Sequence, residues 1–279
     1  MTFQLADFDL AAFVVSTLAE DMGPGGDRTS AAVIPADAVL TAVMDSRDPV
    51  TVAGLPIAAA FFRALDPACT IETLVGEGTT VPAGTDLMRI RGNARELLTA
   101  ERSALNTVQH LTGIATLTRA YVDAIAGTSA ILLDTRKTLP GLRALEKYAV
   151  RMGGATNHRM RLDDGVMIKD NHIAVAGGID AAVRAAKAAG LQNIVVEVDT
   201  TDQIAPALAA GADRLLLDNM PPAVLRQAIA IIAGRVPTEA SGGVNLQTIR
   251  AIAETGVTYI SVGRITQSAP AADIGLDFG

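Results

Sequence analysis

The alternation of apolar and polar residues changes rhythm twice along this chain. Residues 1–21 mix apolar positions with Asp7, Asp9, Glu20 and Asp21, which predicts an amphipathic helix. Short β-like runs follow at 39–44 (VLTAVM) and 86–90 (DLMRI), with turn signals such as Gly23-Pro24-Gly25-Gly26 and Val81-Pro82-Ala83-Gly84 between the elements. A long helix is expected over 94–126, where Leu105, Val108, Leu111, Ile114 and Leu117 recur every three residues. After it the texture becomes apolar strand, polar strand end and Ala-rich helix, repeated. Strands are predicted at 130–133, 165–168, 193–198, 214–217, 237–240 and 259–262, with helices such as 179–189 and 248–256 between them. Spacings of roughly 20 to 35 residues suit βα units and a parallel sheet.

The ends of those strands choose between a barrel and an open sheet. Each terminates in polar residues or glycine: Thr135-Arg136-Lys137, Lys169, Glu197, Asp218, Ser241-Gly242-Gly243 and Gly263. In an α/β barrel such ends converge on one rim, where the active site sits. An open sheet would confine the site to one switch point. No GxGxxG or GxxxxGK[ST] loop follows a strand, which removes the dinucleotide and P-loop readings.

Charge sharpens the picture. The chain carries 23 Lys plus Arg against 30 Asp plus Glu, a net charge of −7. Yet between Arg136 and Lys169 eight Lys or Arg stand against three Asp or Glu. An acidic protein that gathers its cations in one window is building an anion site, because uncompensated cations at the end of a buried strand are expensive to desolvate. Arg offers a planar fork to carboxylate and Lys a point charge to phosphate, so Arg136, Lys137, His158, Arg159 and Lys169 suit a substrate with several anionic groups. The competing reading is an internal salt-bridge network with Asp134, Asp163 and Asp164. Arg143, Lys147 and Arg151, at helical spacing, are expected to be solvated, and His110 to be a packing residue. His172 lies just past a strand end and is expected to shape a loop.

Glu197 and Asp218 end apolar strands on the same rim, which suits Mg²⁺ held through a substrate's phosphates or hydroxyls. Ser241-Gly242-Gly243 and Gly263 expose backbone N–H groups at loop-to-helix junctions, a phosphate cradle. No nucleophile–base pattern appears, so the chemistry must rest on charge and positioning. The acidic balance argues against nucleic acid. No apolar run reaches the roughly 18 to 20 residues of a membrane span, and the N-terminus lacks a basic n-region, so a cytoplasmic protein is expected. The single cysteine, Cys69, excludes an intramolecular disulfide framework.

Longer motifs resemble a known family. Glu101-Arg102-Ser103-Ala104-Leu105-Asn106, DTRKTLPGLR over 134–143, Asn157-His158-Arg159 and Ile168-Lys169-Asp170-Asn171-His172-Ile173 are similar to the quinolinate phosphoribosyltransferases. So are Leu217-Asp218-Asn219, Glu239-Ala240-Ser241-Gly242-Gly243 and Ser261-Val262-Gly263, and the likeness covers nearly the whole chain. The resemblance implies an α/β fold, with an N-terminal α/β sandwich domain over 1–107 and an open α/β barrel of about six parallel strands over 108–265. The tail, 266–279, is expected to return to the first domain. It also implies Mg²⁺-dependent transfer from phosphoribosyl pyrophosphate (PRPP) to quinolinate with loss of CO₂, in a homodimer with shared active sites. Arg136, His158, Arg159 and Lys169 would then hold the quinolinate carboxylates, joined by Arg102 of the other subunit. Lys137, Lys169, Glu197, Asp218, Ser241, Gly242, Gly243 and Gly263 would hold PRPP and its metal, with Thr135, Val262 and Arg264 lining the same site. Lys137, Lys169, Glu197 and Asp218 are the expected catalytic set. Arg161, Asp163, Gly165, Arg264 and Gln267 depart from the family's pattern. Two alternatives are a family relative that accompanies molybdate-transport genes and an inactive binding barrel. The first departs from motifs intact here, and the second would have lost strand-end charges that are all present.

Overall fold

The computed structural model describes residues 5–278. In chain order the early elements are α1 (Leu10–Met22), α2 (Arg28–Val33), β1 (Val39–Ser46), β2 (Val50–Thr51), α3 (Leu55–Leu65), β3 (Thr70–Thr73), β4 (Thr80–Val81), β5 (Thr85–Asn93) and α4 (Ala94–Ala124). Next come β6 (Ile131–Leu133), α5 (Arg143–Met152), β7 (Met167–Ile168), α6 (Asp170–Ala176), α7 (Ile179–Ala188), β8 (Val195–Val198), α8 (Ile204–Ala210) and β9 (Arg214–Asp218). The last are α9 (Pro222–Ile232), β10 (Thr238–Ser241), α10 (Ile249–Ala253), β11 (Tyr259–Ser261), α11 (Arg264–Gln267) and β12 (Ile274–Phe278). Among the described residues no helix is long and apolar enough to cross a membrane.

The chain divides into two compact units. The first gathers Met1–Arg119, Pro140–Gly154 and Ser268–Gly279, and the second Ala120–Leu139 and Ala155–Gln267. The first is built on an antiparallel sheet ordered β12-β1-β5-β3, in which the last strand pairs with β1 from Ala42↔Phe278 to Ser46↔Ile274. The tail also lies along α4, where any side chain at Gly113 would strike the backbone of Pro270 and Ala271. The helix stripe works as its spacing predicts: Leu105, Val108, Leu111 and Ile114 are all buried. The boundary expected at residue 107 falls inside α4, which passes from one unit into the other without a break.

Residues 140–154 were expected in the barrel and instead belong to the first unit. The cause is α5, whose consecutive residues from Leu145 to Val150 are all buried. Its Tyr148 hydroxyl donates to Glu77 at 2.5 Å, and Glu146 pairs with His110 at 2.9 Å. Lys147, expected to be solvated, is 0% exposed, while Arg151 is exposed as expected. Helical spacing of charges therefore misled here, because a helix enclosed on every side shows no polar face. His110 is more than packing, since its ring meets a fully buried carboxylate.

The second unit is a six-stranded sheet ordered β6-β11-β10-β9-β8-β7, parallel in every pair. Each strand from β7 to β11 lies beside the next in sequence, and β6 then joins β11. A doubly wound sheet would reverse direction at a switch point. This one keeps turning the same way, as a barrel does, but β6 and β7 remain at its two edges. The result is the open barrel expected. The observed strands match the predicted ones within a few residues, because short runs such as Leu215-Leu216-Leu217 have no role except in a two-sided core.

Candidate active site

The carboxyl ends of all six barrel strands meet around a cavity of about 630 Å³. Its lining includes Thr135, Arg136, Lys137, His158, Arg159, Lys169, Glu197, Asp218, Ser241, Gly242, Gly243, Val262, Gly263 and Arg264. Every residue the sequence reading assigned to the site is thus brought together, apart from Arg102. Arg102 lies in the first unit, exposed on α4.

Local geometry explains the motifs. Asp134 ends the run of β6 and is fully buried. Its two oxygens accept from Asn157 Nδ2 at 2.6 Å and from the His158 backbone N–H at 2.7 Å. Those contacts fasten the Asn-His-Arg segment to the β6 end, which is why two motifs far apart in sequence reach one rim. Beside it, Thr135 Oγ1 accepts the Lys137 N–H at 3.0 Å and turns the chain. The Thr266 hydroxyl donates to the Lys137 carbonyl at 2.7 Å, tying that turn to α11. Gly263 is required for close approach: a Cβ there would stand 2.7 Å from Lys137 Cδ and 3.3 Å from Thr135 Oγ1.

The other acids are also occupied locally. Asp164 accepts from the N–H groups of Met160 and Arg161, and Asp163 pairs with Arg161 at 3.1 Å. Arg159 donates to the Gly165 carbonyl at 2.8 Å. Burial first, and then the nearby Arg136 charge, pull Arg159 below the ordinary arginine value, against Asp164. Two guanidiniums that disfavour each other in a cavity need an anion between them. Arg136 Nε is buried without a hydrogen-bond partner, which marks the same need.

Opposite them, Lys169 Nζ reaches Glu197 at 3.0 Å, and Glu197 is buried. The Lys169 N–H donates to His172 Nδ1, so His172 shapes the start of α6. Glu197, Asp199 and Asp218 each offer an oxygen within 4.8 Å of the others, a donor set of hard oxygens that fits Mg²⁺. The sequence reading missed Asp199, which lies two residues beyond Glu197 and so on the same side of an extended chain. Gly242 and Gly243 have φ of +90° and +60°, and a side chain at Gly242 would collide with Asn219. A left-handed Gly-Gly turn at a barrel rim aims successive N–H groups at one point, as phosphate nests do.

Glu239 was quoted only as part of a motif, yet it lines the cavity and is 0% exposed. His158 Nε2 lies 3.3 Å from its Oε1, and Arg214 donates to its Oε2 at 3.2 Å. The carboxylate that His158 was expected to meet on a ligand is thus supplied by the protein itself. Burial works against charge on Glu239, but His158, the Ser261 hydroxyl and Arg214 outweigh it and hold the carboxyl below the ordinary glutamate value. Strand alternation could have found it, since Glu239 is two residues before Ser241 and faces the same way.

Comparison with known proteins places this geometry. Residues 27–112 match the quinolinate phosphoribosyl transferase N-terminal domain, and residues 114–277 match the C-terminal domain of that family. The nicotinate-nucleotide pyrophosphorylase [carboxylating] of Mycobacterium leprae is 43% identical over 97% of this chain and 98% of that protein. The chloroplastic enzyme of the same name from Arabidopsis thaliana is 41% identical over 96% of this chain and 82% of its own length. The solved nicotinate-nucleotide pyrophosphorylase from Francisella tularensis superposes with a TM-score of 0.93 at 39% identity, over 100% of both chains.

Proposed function

The chain belongs to the quinolinate phosphoribosyltransferase family, and from that premise we propose how its cavity performs the family's reaction. It is a pentosyltransferase that moves the phosphoribosyl group of PRPP to the nitrogen of quinolinate, releasing pyrophosphate and CO₂ and leaving nicotinate mononucleotide for NAD biosynthesis. The observation that carries this reading is the unbalanced rim. Arg136, Lys137, Arg159, Lys169 and Arg264 line it with Glu197, Asp218 and Glu239, and Glu197 is taken by Lys169 and Glu239 by Arg214. A dianion with a further phosphorylated partner suits such a surplus.

In our reading Arg136, Arg159 and Lys169 hold the two quinolinate carboxylates, with His158 behind them. Lys137 and the Ser241–Gly243 turn, with Gly263, take the phosphates of PRPP, and Thr135, Val262 and Arg264 complete the wall. As pyrophosphate leaves, the ribose becomes cationic, and Glu197 and Asp218 stabilise it by charge. Attack by the pyridine nitrogen makes the ring cationic, that charge stabilises the carbanion left on the ring carbon when the adjacent carboxylate departs as CO₂, and a proton from water then completes the new C–H bond. The substrate thereby supplies its own electron sink. Mg²⁺, which Glu197, Asp199 and Asp218 would hold, supplies neutralisation of the pyrophosphate group when bound.

Arg102 enters this reading through a second subunit: two copies form a homodimer in which each lends its Arg102 to the other's site. The cytoplasm, where both substrates are met, is the proposed location. Purified protein given quinolinate, PRPP and Mg²⁺ is expected to release CO₂ and form nicotinate mononucleotide without ATP. Nicotinate, with one carboxylate, should be a poor substitute. Efficient turnover of nicotinate with none of quinolinate would overturn the assignment.

A further inference from the structure

One buried acid lies behind the substrate-facing side chains. Glu239 sits on β10, between β9, which carries Arg214, and β11, which carries Tyr259. The Arg214 guanidinium lies 4.2 Å from the centre of the Tyr259 ring and reaches Glu239 Oε2. The other carboxylate oxygen faces His158. His158 Nδ1 accepts the backbone N–H of Arg159 at 2.7 Å, so that nitrogen carries a lone pair and not a proton. The ring proton of the neutral imidazole is therefore on Nε2, toward Glu239. A carboxylate can only accept, so Glu239 permits this tautomer and disfavours its alternative.

We propose that Glu239 is a positioning residue for the quinolinate half of the site: it holds the His158 proton on Nε2, leaving Nδ1 to fix the backbone of Arg159 and thereby the guanidinium that grips a carboxylate. The inference rests on the reading of the cavity given above. The 3.3 Å separation is loose for a hydrogen bond, and neither atom meets strict hydrogen-bond geometry there. Contacts of this kind are often long until the reacting complex tightens them. Burial alone would favour the protonated form of Glu239, but His158 first, then the Ser261 hydroxyl and Arg214, favour the carboxylate.

The chain has only three histidines, so ring-¹⁵N-labelled protein can resolve His158 by comparison with His158→Gln. In the wild type the His158 ring is expected to carry its proton on Nε2, with Nδ1 unprotonated. A ring protonated on Nδ1, or on both nitrogens, overturns the proposal whether or not any variant folds. In steady-state assays Glu239→Gln is expected to raise the KM for quinolinate about tenfold, with kcat and the KM for PRPP within about twofold of wild type. His158→Gln should raise the same KM by a similar factor, and adding Glu239→Gln to it should bring no further loss. A Glu239→Gln enzyme whose quinolinate KM is unchanged, with only its melting temperature lowered, reduces Glu239 to a structural acid and overturns the assignment. Failure of the reaction itself would show as absent turnover in the wild type, and the ring spectrum would remain readable.

Discussion

In the first unit the half-buried Glu77 is met by three donors of the same fold. The N–H groups of Gly54 and Leu55 donate to it at 2.7 and 2.9 Å, capping α3, and the Tyr148 hydroxyl completes its shell. In the second unit Arg136 Nε is buried without such a partner, although Asp134, two residues earlier, accepts from Asn157 and the His158 backbone. Both regions put charge in low dielectric. One closes the account with its own groups, and the other leaves donors aimed into a cavity. The difference teaches where to look for chemistry: a satisfied buried charge holds the fold together, and an unsatisfied one awaits a ligand.

The sharpest way to break that contrast is to remove a donor on the open side. Arg159→Ala should lose roughly 1.5–3 kcal/mol of quinolinate binding, about 10- to 150-fold, and little thermal stability. Arg102→Ala, although it lies in the closed unit, should lose quinolinate binding to a similar degree. Mixed and re-equilibrated, the two variants should regain up to about a quarter of wild-type activity, since half the dimers are mixed and each carries one intact site. No recovery despite proven subunit exchange would place Arg102 in its own subunit's site or make it structural.

Asp134→Ala tests whether a closed contact on the open side behaves as a fold contact. It takes the acceptor from two half-buried donors, at about 1–3 kcal/mol each at most. Chemical denaturation should show that loss, and quinolinate affinity should fall with it because the His158–Arg159 segment is released. An Asp134→Ala enzyme of normal stability would sink the account of how the two motifs are joined.

The smallest effect sharpens the comparison through pH. Burial raises the Glu77 carboxyl above its ordinary value of 4.5, although Tyr148 and the Gly54 and Leu55 N–H groups oppose it. The folded protein therefore holds that proton more tightly than the unfolded chain. Its contribution to stability is full below the ordinary value and is lost as pH rises through the raised one. Glu77→Gln should flatten the melting temperature over that interval while costing roughly 1 kcal/mol overall. Glu239 shifts the other way, so its contribution is present above the ordinary glutamate range and is lost as pH falls through its lowered value. A wild-type protein whose stability does not decline just above the ordinary glutamate range would contradict the direction given for Glu77.

Much of the barrel was legible because its strands are short apolar runs that end in charge, and the polar ends mark the rim. Arg136, Lys137, Lys169, Glu197 and Asp218 stood out as ions where a buried strand stops. Glu239 did not, since it lies inside β10 and not at its end. Lys147 was misread for the complementary reason: nothing local tells a helix wrapped by its own domain from one facing water. The pairing of β12 with β1 depends on register between distant segments, and only the resemblance, not the local pattern, anticipated the tail's return.

That last pairing bears on synthesis. β1 has β5 on one side, but its other edge is covered only by Ile274–Phe278, which follow all six barrel strands in the chain. All six barrel strands are translated before that edge can be sealed. The nascent first unit thus carries an open strand while the barrel strands are made, a template for pairing with other chains. Arg89 and Arg91 on β5, together with Asp45 on β1 itself, place charges along the waiting sheet, the kind of residue that discourages a stray strand from adding there.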